Sequence, residues 1–319
     1  MRPRNESVRD QVPALLRRQP GMGSADLAAA TGSSVATVNR VLLELEAQVL
    51  RVGKAGRTRY YLRRSLRNLQ GDIPVYRVDA LGQAHELGPV RLLAPEGSYL
   101  DVAALGWPVS AEFAQGLWPG LPYALQDMRP QGFLGRSFAR HVAAEFGVPV
   151  NPKEWSDDDA LSVLTQRGDD CSGDLIAGTA ALQRWLHAKA LAPTPVATSK
   201  LDAHYLVLAE KANAMGLAGS SAAGEFPKFT TARVLRGSAT PHVIVKYSGG
   251  DRSSTVQRWS DLLVCEHLAL ETMRTVLNIP AARSRLLQEL GRTFLEVERF
   301  DRHGPFGRSA LVSLDTLAS

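Results

Sequence analysis

The N-terminal part of the chain carries a succession of hydrophobic patterns that restricts its fold more than any other feature. Apolar residues recur at helical spacing over residues 8–19, and Pro13 is expected near the first turn of that helix. A short second helix is predicted between Ser24, as its N-cap, and Gly32, as its end. A third helix is predicted over residues 33–48. Its apolar face is expected to comprise Val35, Val38, Val41, Leu42 and Leu45.

Two strands are predicted next, in "VLRVGKAGRTRYYLRR", around the turn Gly53–Gly56. This order of helix, short helix, helix and basic hairpin is typical of a winged helix-turn-helix domain, which we predict over residues 1–68. The third helix of such a domain fits the major groove of DNA, and small polar side chains beside an arginine suit contacts with base edges. The outward face of the third helix carries Ser33, Thr37 and Arg40, and the hairpin carries Arg51, Lys54, Arg57 and Arg59.

The charge distribution points to the same segment. The net charge of the chain is +5, and residues 1–70 hold 13 Lys or Arg against 5 Asp or Glu, whereas the remainder holds 24 against 27. All of the excess positive charge therefore lies in the N-terminal segment, as expected of a contact with double-stranded DNA. A winged helix that serves only protein contacts or dimerisation stays open as the alternative.

Several classes of protein are disfavoured by the sequence. No stretch approaches the ~20 apolar residues needed to cross a bilayer, and the first residues are charged, so neither export nor membrane association is expected. Cys171 and Cys265 lie far apart and the seven histidines are scattered, which gives little support to a disulfide framework or a metal site. We expect a cytoplasmic protein, associated with the nucleoid where it binds DNA.

A glycine-rich stretch, "GLAGSSAAGEFPK", covers residues 216–228 and matches neither the Walker pattern nor the dinucleotide-binding pattern. A short β-branched strand follows, "PHVIVKYSGG", with Lys246 near its end. A long helix then carries Glu266, with Trp259, Leu262, Leu263 and Val264 on or near its apolar side. The next strand, "RTFLEVERFDRHG", ends in a charged turn. Kinases use this order of glycine-rich loop, lysine strand, glutamate helix and hinge to bind ATP.

The chain resembles the HipA-like serine/threonine kinase family of toxin–antitoxin systems, and it is most similar to the YjjJ-type branch, which adds an N-terminal helix-turn-helix. The resemblance is carried by "LPYALQDMRPQGFLGR", "LSVLTQRGDDCSGDLIAG", "SSAAGEFPKFT", "HVIVKYS" and "LEVERFDRHG", which follow the family's order over most of residues 70–304. It implies a HipA-like N-terminal subdomain over residues 69–190 and a kinase N-lobe over residues 191–300. The predicted fold class is therefore α+β.

The resemblance also implies site residues, with ATP and Mg²⁺ as cofactors. Lys246 would contact the phosphates of ATP and Glu266 would orient that lysine, while Glu298 and Phe300 on the hinge strand would meet adenine. Gly219, Ser221 and Gly224 would belong to the loop over the phosphates, and Ser221 would be the candidate for autophosphorylation.

The family's catalytic aspartate, the asparagine after it and the metal-binding aspartate are expected after the hinge, and no matching motif occurs in residues 301–319. We therefore expect this chain to be truncated at the start of the helical C-lobe, with no catalytic residues of its own and no phosphate transfer alone. Nucleotide binding by this chain alone is expected to be weak or absent, because the metal-binding aspartate is missing. A separately encoded C-lobe or an antitoxin is the expected protein partner. The alternative is a DNA-binding transcription regulator whose kinase-derived half only senses nucleotide or a partner.

Overall fold

The computed structural model describes residues 3–67, 69, 71–101, 106–191, 194–216, 226–235 and 237–318. The chain divides into two compact units. Unit 1 comprises Met1–Tyr76, Glu86–Gln126 and Ala177–Thr179, and unit 2 comprises Arg77–His85, Asp127–Ile176 and Ala180–Ser319. Helices and antiparallel sheets both occur in the described ranges, which is compatible with the predicted α+β class.

Unit 1 begins with three helices and a hairpin, in the order predicted from the sequence. They are α1 (Pro3–Arg18), α2 (Ser24–Thr31), α3 (Val35–Glu44), β1 (Val49–Val52) and β2 (Arg59–Leu62). β1 and β2 pair antiparallel, with Val49 opposite Leu62. Apolar side chains from all five elements form one core, in which Val12, Leu16 and Leu27 are fully buried. The predicted end of α2 at Gly32 is confirmed, since Gly32 adopts a left-handed φ of 63°.

Two details at the helix ends differ from the prediction. Pro13 lies inside α1 and not near its first turn, because the polar residues before Val8 extend the helix back to Pro3. The N-cap of α2 is Gly23, and Ser24 is the first helical residue. The carboxylate of Asp26, in the first turn, accepts a hydrogen bond of 3.0 Å from the Gly23 N–H, and Gly23 has no side chain to cap the helical N–H groups.

The buried face of α3 starts one turn later than predicted. Val38 and Val41 are fully buried, but Val35 is 43% exposed. Val35 is the first residue of the helix and follows the N-cap Ser34, whose side chain accepts a hydrogen bond from the Thr37 N–H. The first turn therefore precedes the part of the helix that packs on the core.

A second sheet has five strands in the order β6-β5-β4-β3-β7. Its strands are β3 (Ile73–Val78), β4 (Ala84–Leu92), β5 (Ser98–Tyr99), β6 (Leu117–Trp118) and β7 (Leu175–Ala177). The Asp79 carboxylate stabilises the turn between β3 and β4, because it accepts hydrogen bonds from the N–H groups of Leu81 and Gln83.

The remaining helices are α4 (Tyr123–Gln126), α5 (Gly132–Phe146), α6 (Asp157–Arg167), α7 (Thr179–Leu191), α8 (Leu201–Gly216), α9 (Ser254–Thr275) and α10 (Leu314–Ala318). Helix α6 begins at a reciprocal capping box between Ser156 and Asp159. The start of α10 is held by Asp127, whose Oδ1 accepts a hydrogen bond of 2.8 Å from the Ser313 hydroxyl, 186 residues later. None of the described helices is both long enough and apolar enough to cross a membrane.

A four-stranded antiparallel sheet in unit 2 carries the candidate site. Its strands are β8 (Lys228–Ala232), β9 (His242–Tyr247), β10 (Ser284–Glu289) and β11 (Arg292–Glu298), in the order β10-β11-β9-β8. Val243, Val245 and Tyr247 alternate along β9 and pack with Tyr205 of α8 and Phe294 of β11 in a buried cluster. The strand that carries Lys246 was predicted, whereas β10 was not.

Helix α9 packs against this sheet by a narrower apolar face than predicted. Leu263 is fully buried, but Leu262 is 48% exposed and the other two predicted positions, Trp259 and Val264, are half-buried. A helix that lies on a sheet buries one stripe only, and Leu262 is turned about 100° from Leu263 around the helix axis. Two short strands follow β11 and precede α10. They are β12 (Arg302–His303) and β13 (Gly307–Arg308), which pair with each other.

Candidate functional site

Lys246 and Glu266 form an ion pair at the middle of the sheet in unit 2. The Lys246 Nζ donates to Glu266 Oε1 at 2.6 Å and to Oε2 at 2.8 Å. Lys246 lies on the inner strand β9, opposite Lys228 of β8 and Leu295 of β11. Its side chain is 24% exposed and that of Glu266 is 33% exposed, so both remain accessible to a ligand.

The position of Glu266 follows from the way α9 is anchored. The helix begins after Ser253, whose hydroxyl accepts a hydrogen bond of 3.2 Å from the Val256 N–H. Leu263, three residues before Glu266, is fully buried and fixes the rotation of the helix against the sheet. This rotation places the Glu266 carboxylate beside the Lys246 ammonium. A carboxylate that holds an ammonium in this way orients it toward an anion such as phosphate.

A cavity of about 500 Å³ includes side chains from the same face of the sheet. Ile244, two residues before Lys246 on β9, lines it together with Thr230, which lies directly opposite Ile244 on β8. Phe138 of α5 and the guanidinium groups of Arg129 and Arg299 contribute further walls. A cavity whose walls combine apolar side chains with charged groups can hold a small ligand.

The two predicted hinge residues lie in different environments. The backbone N–H of Glu298, at the end of β11, donates to the carbonyl of Arg283 at 2.9 Å, and its carboxylate accepts a hydrogen bond of 2.8 Å from the Ser238 hydroxyl. Phe300 was expected on the hinge strand, but it follows the strand in a turn and is 69% exposed. The strand ends earlier because Arg299 and Asp301 form a buried ion pair there.

The other predicted residues of the ATP site lie outside the described residues. Gly219, Ser221 and Gly224 belong to the segment 217–225, so their proposed roles over the phosphates stay predictions. Within the described ranges, no three His, Cys, Asp or Glu side chains are grouped so that they could hold a metal ion.

A buried cluster of ions follows β11, and sequence reasoning missed it. Asp301 accepts hydrogen bonds from Arg299 Nε at 3.0 Å, from Arg302 Nη1 at 2.7 Å and from the Gly173 N–H at 3.1 Å. Burial raises the pKa of Asp301, but the hydrogen bond from Arg299 and the charges of Arg302 and Arg299 outweigh it and lower that pKa from 3.8 to about 2. Asp301 is therefore a structural anion that holds two buried arginines.

The segment 169–173 supplies the other side of this cluster. Arg302 Nη2 donates to the Asp170 carboxylate at 3.1 Å and to the Cys171 carbonyl at 2.7 Å, and Arg308 Nη2 donates to the Asp169 carbonyl at 2.6 Å. Burial, and to a smaller extent the negative charge of Asp170, raises the pKa of the Cys171 thiol to about 12. Cys171 is thus held as a neutral thiol, without nucleophilic or metal-binding character.

The predicted DNA-contacting residues of unit 1 fall into two groups. The side chains of Arg40 on α3 and of Arg51, Lys54, Arg57 and Arg59 on the hairpin are exposed. Ser33 and Thr37 are half-buried. The Thr37 hydroxyl lies 3.0 Å from the hydroxyl of the N-cap Ser34, so it takes part in capping α3.

Comparison with known proteins gives two matches. Residues 69–186 match the family model described as the YjjJ-like toxin, middle domain. The chain is 40% identical over 287 residues to Toxin YjjJ of Escherichia coli (strain K12), and this alignment covers 90% of the chain and 62% of the relative. The chain therefore spans less than two thirds of the length of that curated relative. No solved structure matches. Both matches are therefore similarities to YjjJ-like toxins.

Proposed function

We propose that the sheet and helix around Lys246 form the nucleotide-binding part of a HipA-like toxin kinase, and that residues 1–68 form a winged helix that binds double-stranded DNA. The single observation that carries the kinase proposal is the ion pair of 2.6 Å between Lys246 and Glu266. An ammonium on an inner strand, held by a glutamate of the following helix, is the arrangement that kinases use to bind ATP phosphates.

The chemical roles follow from this arrangement. When bound, ATP supplies the phosphoryl group that a kinase transfers. Lys246 binds phosphate oxygens, and Glu266 holds the ammonium in position by accepting two of its hydrogen bonds. Ile244 offers an apolar surface to the base, two residues before the lysine. The described residues do not group carboxylates into a magnesium site.

Calorimetry with ATP and with adenosine tests the nucleotide site in the 319-residue chain. Lys246→Ala is expected to weaken ATP binding by roughly tenfold or more, since one charge-assisted hydrogen bond contributes about 1.5–3 kcal/mol. Adenosine binding is expected to stay unchanged, because adenosine has no phosphate. Lys211→Ala, at an exposed position on α8, is the control. Equal ATP affinity in the Lys246→Ala variant and the unmodified chain would contradict the proposal.

The DNA-binding proposal is supported by the exposure of Arg40 and of the hairpin cations. Fluorescence anisotropy measures binding of the full chain to a DNA duplex. The logarithm of the association constant is expected to fall linearly with the logarithm of the salt concentration. Replacing Lys54 and Arg57 by Ala is expected to reduce that slope by about 1 for each lost phosphate contact. Replacing the exposed Arg17 and Arg18 of α1 is the charge-matched control. Binding that does not respond to salt would contradict the proposal.

The relationship with YjjJ-like toxins also suggests an antitoxin as a protein partner. We propose that an antitoxin binds this protein. Toxin activity of the whole protein is also a proposal, since the alignment covers 62% of the length of Toxin YjjJ.

A further inference from the structure

A second cavity in unit 2, of about 460 Å³, lies beside β10 and the C-terminal half of α9. Neither Lys246 nor Glu266 lines it. Four arginines, three glutamates, one histidine and one serine form its walls. Such a concentration of guanidinium groups around one cavity is unusual for a surface that only contacts water, because like charges repel one another at short range.

Three guanidinium N–H groups of this cavity are buried without a hydrogen-bond partner. They are Nε and Nη2 of Arg285 and Nε of Arg233. The Arg233 side chain is only 7% exposed. A buried donor without a hydrogen bond loses its hydration without compensation, so native structures rarely keep such groups unless they bind water or a ligand.

The glutamates of the cavity do not satisfy these donors. Glu296 already accepts hydrogen bonds from the Tyr205 hydroxyl and from Arg233 Nη2. Its Oε2 lies 3.6 Å from Nη2 of Arg285, whose side chain is 40% exposed, so the two residues form an ion pair but no hydrogen bond. Glu271 accepts a hydrogen bond of 2.6 Å from Arg274.

The remaining charge in the cavity is positive. Glu298 accepts a hydrogen bond of 2.8 Å from the Ser238 hydroxyl. The fourth arginine, Arg283, donates to the carbonyl of Gly237 at 3.3 Å, and this bond does not neutralise its charge. The arginines therefore exceed the glutamates by one charge, before any charge on His267.

We infer that this cavity binds a phosphate-type oxyanion, either free phosphate or the phosphate of a phosphorylated serine or threonine. The two unpaired donors of Arg285 lie on one planar guanidinium and match two oxygens of such an anion. The Arg233 donor offers a third contact. A phosphate group has an oxygen for each of the three donors, whereas a carboxylate has only two oxygens. The site is separate from the ATP-phosphate site proposed at Lys246.

Calorimetric titration of the 319-residue chain with inorganic phosphate, at constant ionic strength set by sodium chloride, tests the inference. We expect saturable binding to one site, and Arg285→Gln should weaken it by roughly tenfold or more through the loss of two charge-assisted hydrogen bonds. Arg285→Lys keeps the charge but not the bidentate geometry and should also weaken binding. Arg258→Gln, an exposed arginine on α9 that does not line the cavity, should leave binding unchanged.

Two comparisons separate the possible sources of the signal. Lys246→Ala should keep phosphate binding, and its loss in that variant would assign the anion to the nucleotide site and overturn the inference. A phosphoserine peptide that binds more tightly than inorganic phosphate identifies a phosphorylated chain as the ligand, and the reverse order identifies the free anion. Equal binding of acetate, absence of saturable binding, or unchanged binding in a folded Arg285→Gln variant would each overturn the inference. Thermal unfolding without phosphate shows whether each variant is folded.

Discussion

Replacing Asp301 by asparagine tests how unit 2 tolerates its buried charges. The carboxylate is 8% exposed and lies between Arg299 and Arg302, whose side chains are 8% and 3% exposed. An asparagine side chain at this position would be nearly the same size and could still accept one hydrogen bond, but the negative charge would be lost. Both arginines would then be buried without the carboxylate that neutralises them.

The expected magnitude follows from these contacts. Removing one partner of a buried ion pair costs about 3–5 kcal/mol, because the other charge is left uncompensated. Arg302 keeps a second carboxylate, Asp170, at 3.1 Å, but Asp170 is 67% exposed and is screened by water. We therefore expect Asp301→Asn to lower the free energy of unfolding of unit 2 by about 3 kcal/mol at pH 7.

The effect should depend on pH in a defined direction. The pKa of Asp301 is lowered from 3.8 to about 2 in the folded protein, so its ionisation stabilises the fold above pH 4. That contribution, about 2.5 kcal/mol, is lost as pH falls from about 4 to about 2, and about half of it should be gone at pH 3. The difference in stability between the unmodified chain and the variant should narrow over the same range.

Urea unfolding at pH 7, 4 and 3 measures the difference, and hydrogen exchange at Gly173, whose N–H donates to Asp301, reports on the site itself. Asp261→Asn is the matched control, since Asp261 is exposed and accepts a hydrogen bond from Gln257 that asparagine can also accept. The electrostatic reasoning would be refuted if Asp301→Asn lowered the free energy of unfolding by less than about 1 kcal/mol at pH 7. It would also be refuted if the difference in that free energy between the unmodified chain and the variant stayed constant down to pH 3.

Two further predictions concern single side chains. Burial raises the pKa of Cys171 to about 12, so iodoacetamide at pH 8 should alkylate the exposed Cys265 and leave Cys171 unmodified until the protein is unfolded. Mass spectrometry measures the two modifications, and equal labelling of both cysteines in the folded chain would contradict this. Leu263→Ala should lower the free energy of unfolding by about 2–5 kcal/mol in urea unfolding, because it opens a cavity between α9 and the sheet, whereas the neighbouring Leu262→Ala should change it by less than about 0.5 kcal/mol. Similar decreases in the free energy of unfolding of the two variants would contradict the packing of α9 on the sheet through Leu263.

Local patterns predicted the elements that carry the candidate site. The short β-branched run in "PHVIVKYSGG" predicted β9, and the apolar positions of the next segment predicted α9, so the order of the residues already placed Lys246 near Glu266. The distance of 2.6 Å between them could not be predicted, because it depends on the rotation of α9, which the burial of Leu263 fixes.

Long-range features were not predictable from local patterns. Asp301 and Arg302 were interpreted as part of the charged turn after the hinge strand. Their partners lie in the segment 169–173, about 130 residues earlier, which no local pattern indicates. Strand β10 was missed because its sequence, "SRLLQE", is short and rich in polar residues, and its pairing with β11 decides its conformation.

These distant contacts have a consequence for the synthesis of the protein. The Gly173 N–H contacts Asp301, the Asp169 carbonyl contacts Arg308, and the Asp127 carboxylate contacts Ser313, across separations of 128, 139 and 186 residues. At a translation rate of about 5–20 residues per second, roughly 7–30 s pass between the emergence of Gly173 and that of Ser313 from the ribosome. During this time Asp169 and Asp170 are hydrated in the nascent chain. Unit 2 can therefore complete its folding only late in translation. The helices and hairpin at the start of unit 1 have all their core residues within the first 94 positions, so they can fold much earlier.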